Sequence, residues 1–227
     1  MYKIAVFDLD GTILNTIGDL HAAANYALNT LGYPECGLDE FRNFIGNGQR
    51  MLIKRCLPKS AQDDETVQRI IDIYAPHYAQ HSAERTTVYD GVYEAIKKMR
   101  EAGMKIAVLS NKPHAPTLAL AEKFFPGMID AAFGQRDYIP HKPDPAGLFM
   151  ILDSFKIPPE ECIYIGDSDV DMLTAKNAGV DAIGVTWGYC TKDEIKSAGG
   201  RVIIDEPSQL LDLVLGGREL VESFAGK

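Results

Sequence analysis

Short, strongly apolar segments recur along this chain and are separated by segments with helical periodicity. The clearest apolar runs lie at residues 4–7, 106–109, 163–165 and 182–185. Runs this short and this rich in β-branched residues are typical of strands buried on both faces of a parallel sheet. A shorter run at 202–204 is expected towards an edge. Strand and helix in alternation predict an α/β fold with a doubly wound, mainly parallel, Rossmann-like sheet.

The stretch from about residue 15 to residue 85 breaks this alternation. A helical stripe begins at Ile17 and is stopped by Gly32-Tyr33-Pro34, and further helical segments follow with no convincing strand between them. The simplest account is a small, all-helical cap inserted after the first strand. The predicted domains are therefore a catalytic core of residues 1–14 and 86–227 and a cap of residues 15–85.

The charge balance limits what this chain binds. Its 227 residues include 23 Lys and Arg against 32 Asp and Glu, a formal net charge of −9. An acidic chain repels the phosphate backbone of nucleic acids, so nucleic-acid binding is not expected. No apolar run approaches the roughly 20 residues needed to span a bilayer, and no signal-peptide core precedes Asp8. We expect a cytoplasmic protein without a membrane partner, which binds an anion only where a local cation or metal reverses the field.

Polar residues follow each predicted strand at the point where the strand ends. The first run is followed by Asp8-Leu9-Asp10-Gly11-Thr12, the second by Ser110-Asn111-Lys112-Pro113 and the third by Gly166-Asp167-Ser168-Asp169-Val170-Asp171. Lys142-Pro143 lies between the last two. In doubly wound sheets, ligands bind beyond the carboxyl ends of the strands. The sequence therefore predicts a site at which carboxylates, a hydroxyl and a lysine converge on one edge of the sheet.

These four elements, in this order, resemble the motifs of the haloacid dehalogenase-like hydrolase superfamily. The resemblance covers essentially the whole chain, including the position of the helical cap. Gly46-Asn47-Gly48 in the cap and residues 184–189 resemble the phosphoglycolate phosphatase branch. Because most members are magnesium-dependent phosphatases, the resemblance implies Mg²⁺ as cofactor and a small phosphorylated metabolite as substrate. Dehalogenating relatives lack the second carboxylate, so the presence of Asp10 favours phosphate ester cleavage.

The chemistry of the side chains in these motifs agrees with that resemblance. Asp8 is the expected nucleophile, because a carboxylate can attack phosphorus and form an aspartyl-phosphate that water then hydrolyses. Asp10 is expected to protonate the leaving oxygen and then to activate water, helped by other carboxylates that crowd it. Lys142 is expected to neutralise negative charge on Asp8 and on the phosphoryl group.

The predicted substrate-binding residues come from the core and from the cap. Ser110 and Asn111 are expected to donate hydrogen bonds to the phosphoryl oxygens, and Thr12 to offer its hydroxyl and amide. In the cap, Gly48 and Arg50 are predicted to face the part of the substrate that is not phosphate. A helix start followed by a solvated arginine explains the same cap residues equally well.

The predicted metal ligands are hard oxygen donors, which Mg²⁺ prefers in octahedral geometry. Asp8 and Asp167 are expected to supply carboxylates, and the resemblance implies a backbone carbonyl from Asp10. Asp171 is expected to hold the loop or a metal-bound water. Lys112, by contrast, is predicted to be a partly solvated side chain that is not a ligand.

The resulting prediction is a magnesium-dependent phosphomonoesterase that works through an aspartyl-phosphate, with 2-phosphoglycolate as the best single substrate. A phosphomutase of the same superfamily is an alternative, although its cap should hold a second acid-base residue. Pyrophosphatase or nucleotidase activity differs only in the leaving group and stays open. A non-catalytic binding protein is the least favoured reading, and the chain is expected to be a monomer or a homodimer.

Overall fold

A six-stranded sheet, parallel throughout, forms the centre of the protein. The computed structural model describes residues 1–225. The sheet has the order β5-β4-β1-β6-β7-β8. Its strands are β1 (Ile4–Phe7), β4 (Lys105–Pro113), β5 (Ala131–Gln135), β6 (Cys162–Gly166), β7 (Asp181–Val185) and β8 (Ile203–Ile204). A separate antiparallel pair joins β2 (Leu14–Asn15) to β3 (Thr87–Val88).

Eleven α-helices connect the strands within the described residues. The first four, between β2 and β3, are α1 (Ile17–Thr30), α2 (Leu38–Arg42), α3 (Gly48–Cys56) and α4 (Asp64–His81). The others are α5 (Val92–Glu101), α6 (His114–Phe124), α7 (Ala146–Phe155), α8 (Asp169–Ala178), α9 (Lys192–Ser197), α10 (Pro207–Gly216) and α11 (Arg218–Ala225). None of these described helices combines the length and the apolar character needed to cross a membrane.

The central strand shows why the chain folds as a doubly wound sheet. All four residues of β1 are buried, and they alternate between two apolar layers. Ala5 and Phe7 join one layer, with Ile96 of α5, while Ile4 and Val6 join the other, with Ile151 of α7. A strand covered by helices on both faces has no solvent-facing positions, which is why its sequence is an uninterrupted apolar run. The predicted fold class is confirmed.

The predicted strands are found with boundaries that shift by one to four residues, except for β1, and one strand of the central sheet was missed. β4 runs to Pro113 rather than to residue 109, so its last residues carry the polar motif inside the strand. β5 was not predicted, because its sequence Ala-Ala-Phe-Gly-Gln contains no β-branched residue. It forms one edge of the sheet, and β8 forms the other, as expected for the run at 202–204.

The helices α1 to α4 form a unit with an apolar core of its own. That core includes Leu28, Phe41, Ile53 and Ile70, all fully buried, and it shares no residue with the two layers around the sheet. Between β2 and β3 the described chain therefore contains helices and their connecting loops, without a strand. Residues 226 and 227, the last two of the predicted core range 86–227, lie outside the described residues.

Candidate active site

The carboxyl end of β1 places two carboxylates at the centre of the sheet edge. Asp8 follows the strand directly and is 7% exposed. Gly11 turns the chain with a φ of +91°, and a Cβ there would lie 2.3 Å from a carboxylate oxygen of Asp167. Only glycine allows this backbone to pass so close to Asp167. The turn after β1 and the end of β6 are thus brought into direct contact.

Lys142 reaches this edge from the loop between β5 and α7. Its Nζ donates hydrogen bonds to Asp8 Oδ1 and to Asp171 Oδ1, both at 2.7 Å, and to the Tyr164 hydroxyl at 3.2 Å. Burial by itself lowers the pKa of Lys142, but Asp171 and Asp8 outweigh it and hold the pKa well above its ordinary value. Lys142 is therefore a buried ammonium group with two carboxylate partners.

The end of β6 and the start of α8 hold the other two carboxylates. Asp167 accepts hydrogen bonds from the Thr12 hydroxyl at 2.9 Å and from the Tyr189 amide at 2.7 Å. Asp171 forms a capping box with Ser168 at the first turn of α8. Asp171 is saturated, because Oδ1 accepts from Lys142 and the Tyr164 hydroxyl and Oδ2 accepts from the amide and the hydroxyl of Ser168. Asp171 thus ties Lys142 to the first turn of α8.

The polar end of β4 serves mainly to fix the surrounding loops. The Asn111 amide donates to the carbonyls of Gly46 and Lys142, at 3.0 and 3.1 Å, and its Oδ1 accepts from the Lys142 amide at 2.8 Å. Ser110 lines the cavity described below, and its hydroxyl accepts from the Lys112 amide at 3.2 Å. In this conformation the Asn111 side chain therefore joins three segments. Ser110 lines the cavity, and its hydroxyl has only the contact to the Lys112 amide among the described residues.

The environment of Lys112 differs from the predicted one. Lys112 is 6% exposed, and its Nζ donates to both carboxylate oxygens of Asp10, at 2.9 and 3.1 Å. The same Nζ lies 4.7 Å from the centre of the Tyr78 ring. The prediction of a partly solvated lysine is wrong, because Tyr78 of the helical unit covers it.

The expected crowding of Asp10 by other carboxylates is also not what the structure contains. Besides Lys112, Asp10 accepts a hydrogen bond of 2.5 Å from the Thr16 hydroxyl, which in turn contacts the Tyr189 hydroxyl at 3.1 Å. The crowding falls on Asp8 and Asp167 instead. Burial raises the pKa of Asp8 well above its usual range, and burial followed by Asp171 raises that of Asp167 to about 7.

A cavity of about 130 Å³ lies between this sheet edge and the helical unit. Its floor consists of polar side chains: Asp8, Asp10, Ser110, Asn111, Lys112, Lys142, Asp167 and Ser168. Its roof is mostly apolar and comes from the helical unit: Leu20, Ile45, Gly46, Gly48, Gln49, Leu52, Tyr74, Ala75, Tyr78 and Ala79. Of the predicted site residues, Thr12, Arg50 and Asp171 are not part of this lining. Thr12 acts on Asp167, as described above.

The two predicted cap residues behave differently. Gly48 has a φ of +80°, and a Cβ there would lie 2.7 Å from the His141 ring and 3.4 Å from the Asn111 carbonyl. Gly48 therefore lets α3 begin directly against the core. Arg50 instead pairs with Asp64 at 2.7 Å on the surface of the helical unit, so the structure does not bring it to the cavity.

The cap arginine that reaches the core is Arg42, at the end of α2. Its guanidinium donates to the backbone carbonyls of Gly188 and Tyr189, in the loop after β7. Sequence reasoning missed this residue. The adjacent Phe41 is fully buried in the cap, but the helical pattern gives no indication that its neighbour faces the core.

The donor set at the sheet edge fits a divalent cation. One oxygen from each of Asp8, Asp167 and Asp171 lies within 4.8 Å of the others. Within the described residues, four carboxylates, these three and Asp10, pair with two ammonium groups, those of Lys112 and Lys142, which leaves two negative charges in excess when all four are ionised. Hard carboxylate oxygens are the ligands that Mg²⁺ takes, and a charge of +2 offsets that excess. Since Asp171 is saturated, Asp8 and Asp167 are the carboxylates best able to hold the ion.

Comparison with known proteins agrees with this geometry. The family model described as haloacid dehalogenase-like hydrolase matches residues 5–185. Phosphoglycolate phosphatase 1 of Pseudomonas aeruginosa is 33% identical over 224 residues, which cover 96% of this chain and 82% of that protein. Phosphoglycolate phosphatase of Psychrobacter arcticus is 30% identical and is covered to 96%, with 94% of this chain matched.

A solved structure gives the same relationship in three dimensions. A candidate phosphoglycolate phosphatase from Lactobacillus delbrueckii subsp. bulgaricus superimposes with a TM-score of 0.90 at 33% identity, covering 95% of this chain and 99% of the other. The four motifs, the sheet order, the inserted helical unit and these matches lead to one conclusion. This chain is a phosphatase that belongs to the haloacid dehalogenase-like hydrolase family.

Proposed function

We propose that this protein is a magnesium-dependent phosphomonoesterase that hydrolyses a small phosphorylated metabolite, with 2-phosphoglycolate as the leading substrate. The observation that carries the proposal is the position of Asp8. It lies at the carboxyl end of the central strand, bound to Lys142 at 2.7 Å, in the floor of the cavity between the sheet edge and the helical unit. The relatives named phosphoglycolate phosphatases support the choice of substrate.

In the proposed reaction, Asp8 attacks phosphorus and the ester P–O bond breaks. Lys142 occupies Oδ1 of Asp8, so we assign Oδ2 as the attacking oxygen. Asp10 gives the leaving oxygen the proton that it took from water in the preceding turnover, and the phosphoryl group is then carried on Asp8. Water attacks phosphorus in the second step, Asp10 takes its proton, and the bond to Asp8 breaks to release phosphate.

The other floor residues bind and orient the phosphoryl group in this proposal. The Ser110 hydroxyl donates to a phosphoryl oxygen, Lys142 offsets the charge that develops on Asp8, and Thr12 fixes the orientation of Asp167. Asp8 and Asp167, with the backbone carbonyl of Asp10, would hold Mg²⁺, which when bound would neutralise negative charge on the phosphoryl oxygens.

The size of the cavity supports a small substrate. About 130 Å³ is well below the roughly 300–1,000 Å³ of pockets for drug-sized ligands. Nucleotides are therefore less favoured than two- or three-carbon phosphate esters. Among the described residues, no carboxylic acid or histidine of the helical unit lines the cavity, which favours a hydrolase over a phosphomutase with a second acid-base group.

We also propose that residues 15–85 act as a cap that opens to admit substrate. The chain crosses between core and cap only beside the β2–β3 pair. Asp19 braces these crossings, because its carboxylate accepts from the backbone amides of Arg85 and Thr86 and from the Thr86 hydroxyl. A cap joined at two adjacent points can rotate as a body and exclude water when closed.

The test is a phosphate-release screen with and without Mg²⁺. The substrates are 2-phosphoglycolate, sugar phosphates, nucleotides and pyrophosphate, and Asp8→Asn is the matched inactive control. We expect hydrolysis that requires Mg²⁺ and is highest for 2-phosphoglycolate. Preference for a nucleotide or for pyrophosphate would replace the proposed substrate, and release by Asp8→Asn at the wild-type rate would remove Asp8 as nucleophile.

A further inference from the structure

The cavity contains two positively charged side chains among its described lining residues, and they pair with different carboxylates: Lys112 with Asp10, and Lys142 with Asp8 and Asp171. Lys142 lies beside the proposed nucleophile, and its ammonium group donates hydrogen bonds to Asp8, Asp171 and the Tyr164 hydroxyl. The family chemistry proposed above uses this lysine. It gives no role to the second one, Lys112, which is equally buried.

Lys112 has donor capacity that the protein does not use. Both hydrogen bonds of its ammonium group in the described structure go to the carboxylate of Asp10. An ammonium group has three N–H donors. The Tyr78 ring, 4.7 Å from Nζ, offers its π face but no hydrogen-bond acceptor oxygen in this contact. A further acceptor arriving in the cavity therefore has a donor available.

Tyr78 provides a second, independent indication of a missing ligand. Its hydroxyl is buried and has no hydrogen-bond partner in the described part of the chain, although Tyr78 is 4% exposed and lines the cavity. Burial raises the pKa of Tyr78 well above its ordinary value, so the group is a neutral donor. A buried hydroxyl without a partner costs about 1–3 kcal/mol, which an acceptor on a ligand would recover.

The surroundings of these two donors favour an anion over a neutral group. The roof beside them is apolar, with Leu20, Leu52 and Tyr74 in the cavity lining, so water competes weakly for a charged partner. Apart from Asp10 and the other floor carboxylates, no acidic side chain of the described chain lines this cavity. A ligand carboxylate bound here would accept from both Lys112 and Tyr78, and charge-assisted hydrogen bonds in such a site are strong.

We propose that Lys112 and Tyr78 form a subsite for a carboxylate on the leaving-group side of the substrate, so that the enzyme selects phosphate esters of small hydroxy acids. The proposal rests on the phosphomonoesterase function proposed above and deepens it. Lys112 contacts Asp10, and Asp10 is the residue proposed to protonate the leaving oxygen. The subsite is therefore next to the group that departs.

The experiment compares two substrates that differ only at the end of the leaving group, 2-phosphoglycolate and 2-hydroxyethyl phosphate. Initial rates give kcat/KM for each with the wild type, Lys112→Met and Tyr78→Phe. Lys98→Met, which removes an exposed lysine of α5, is the matched control. Calorimetric titration of 2-phosphoglycolate into Asp8→Asn, with and without Lys112→Met, measures binding without turnover.

We expect the wild type to prefer 2-phosphoglycolate by about 100-fold, and Lys112→Met to reduce that preference by at least about tenfold, mainly through KM. Tyr78→Phe, which removes only the hydroxyl, should reduce it by about fivefold or more. Lys98→Met should leave it unchanged, and Lys112→Met should weaken binding to Asp8→Asn by a similar factor.

Three results overturn the inference while phosphatase activity stands. One is equal wild-type kcat/KM for the two esters, and another is an equal loss on both esters in Lys112→Met. The third is an unchanged preference in both Tyr78→Phe and Lys112→Met. A wild type that releases phosphate from neither ester nor from an aryl phosphate contradicts the proposed function itself. Should Lys112→Met fail to fold, the wild-type preference and the isosteric Tyr78→Phe variant still decide the question.

Discussion

Replacing Asp167 by Asn is expected to stabilise the protein when metal is absent. Burial, followed by repulsion from Asp171, raises the pKa of Asp167 from 3.8 to about 7. At one pKa unit per 1.36 kcal/mol, this rise corresponds to about 4 kcal/mol. The folded protein binds the proton more tightly than the unfolded chain does, so stability falls as pH rises from about 4 to about 7, and the full cost applies above pH 7.

Asparagine removes that cost and can keep both contacts of the side chain. Its amide oxygen can accept from the Tyr189 amide, and its amide group can donate to the Thr12 hydroxyl, which is also an acceptor. After allowance for poorer hydrogen bonds, we expect a gain of about 2–4 kcal/mol at pH 8 in EDTA. For a chain of this size that is a rise in Tm of about 5–10 °C. The gain should fall below about 2 kcal/mol at pH 5. At that pH the unfolded chain has lost most of the Asp167 proton while the folded protein still keeps it, so only part of the cost has built up.

The assay is thermal and urea unfolding of wild type and Asp167→Asn in EDTA at pH 5 and pH 8. Asp169→Asn is the matched control, because it removes the same charge from an exposed position two residues away. Added Mg²⁺ should raise the Tm of the wild type more than that of Asp167→Asn. An Asp167→Asn variant less stable than wild type at pH 8 in EDTA would refute the charge excess from which the metal site is argued.

Three further predictions test other contacts. Lys142→Met should destabilise the fold by about 3–5 kcal/mol, because it leaves Asp8 and Asp171 buried without a cation, and urea unfolding of Lys142→Met and Lys98→Met should differ by that amount. Phe41→Ala should cost about 3–5 kcal/mol by opening a cavity in the cap; a loss below about 1 kcal/mol in urea unfolding would mean that the cap core is not close-packed. Arg42→Ala should raise KM for the small substrate severalfold, because it removes the link to Gly188 and Tyr189. Arg50→Ala breaks only an exposed ion pair and should change KM much less. Equal effects of the two variants on KM would remove the distinction between the two arginines.

The parts of the structure that were predictable are those governed by local pattern. β1, β4, β6 and β7 were found because strands buried on both faces require continuous apolar runs. The polar residues after them met at one edge because parallel strands place their carboxyl ends together. β5 escaped because its Ala and Gly residues carry no such signal.

The misplaced residues are those whose environment depends on distant segments. Lys112 is buried by Tyr78, which lies 34 positions earlier in the chain, and no local pattern shows that contact. Arg42 and Arg50 both belong to cap helices, and only the packing of the cap on the core decides which of them reaches the loop after β7.

The central claim is that Asp8 carries the phosphoryl group during turnover. The direct measurement is a rapid acid quench of enzyme mixed with 2-phosphoglycolate and Mg²⁺, followed by borohydride reduction and mass spectrometry of the peptide that contains Asp8 and Asp10. An aspartyl-phosphate at Asp8 is reduced to homoserine at that position, and we expect this product in the wild type and its absence in Asp8→Asn. Homoserine at Asp10, or turnover without modification of either residue, would contradict the account.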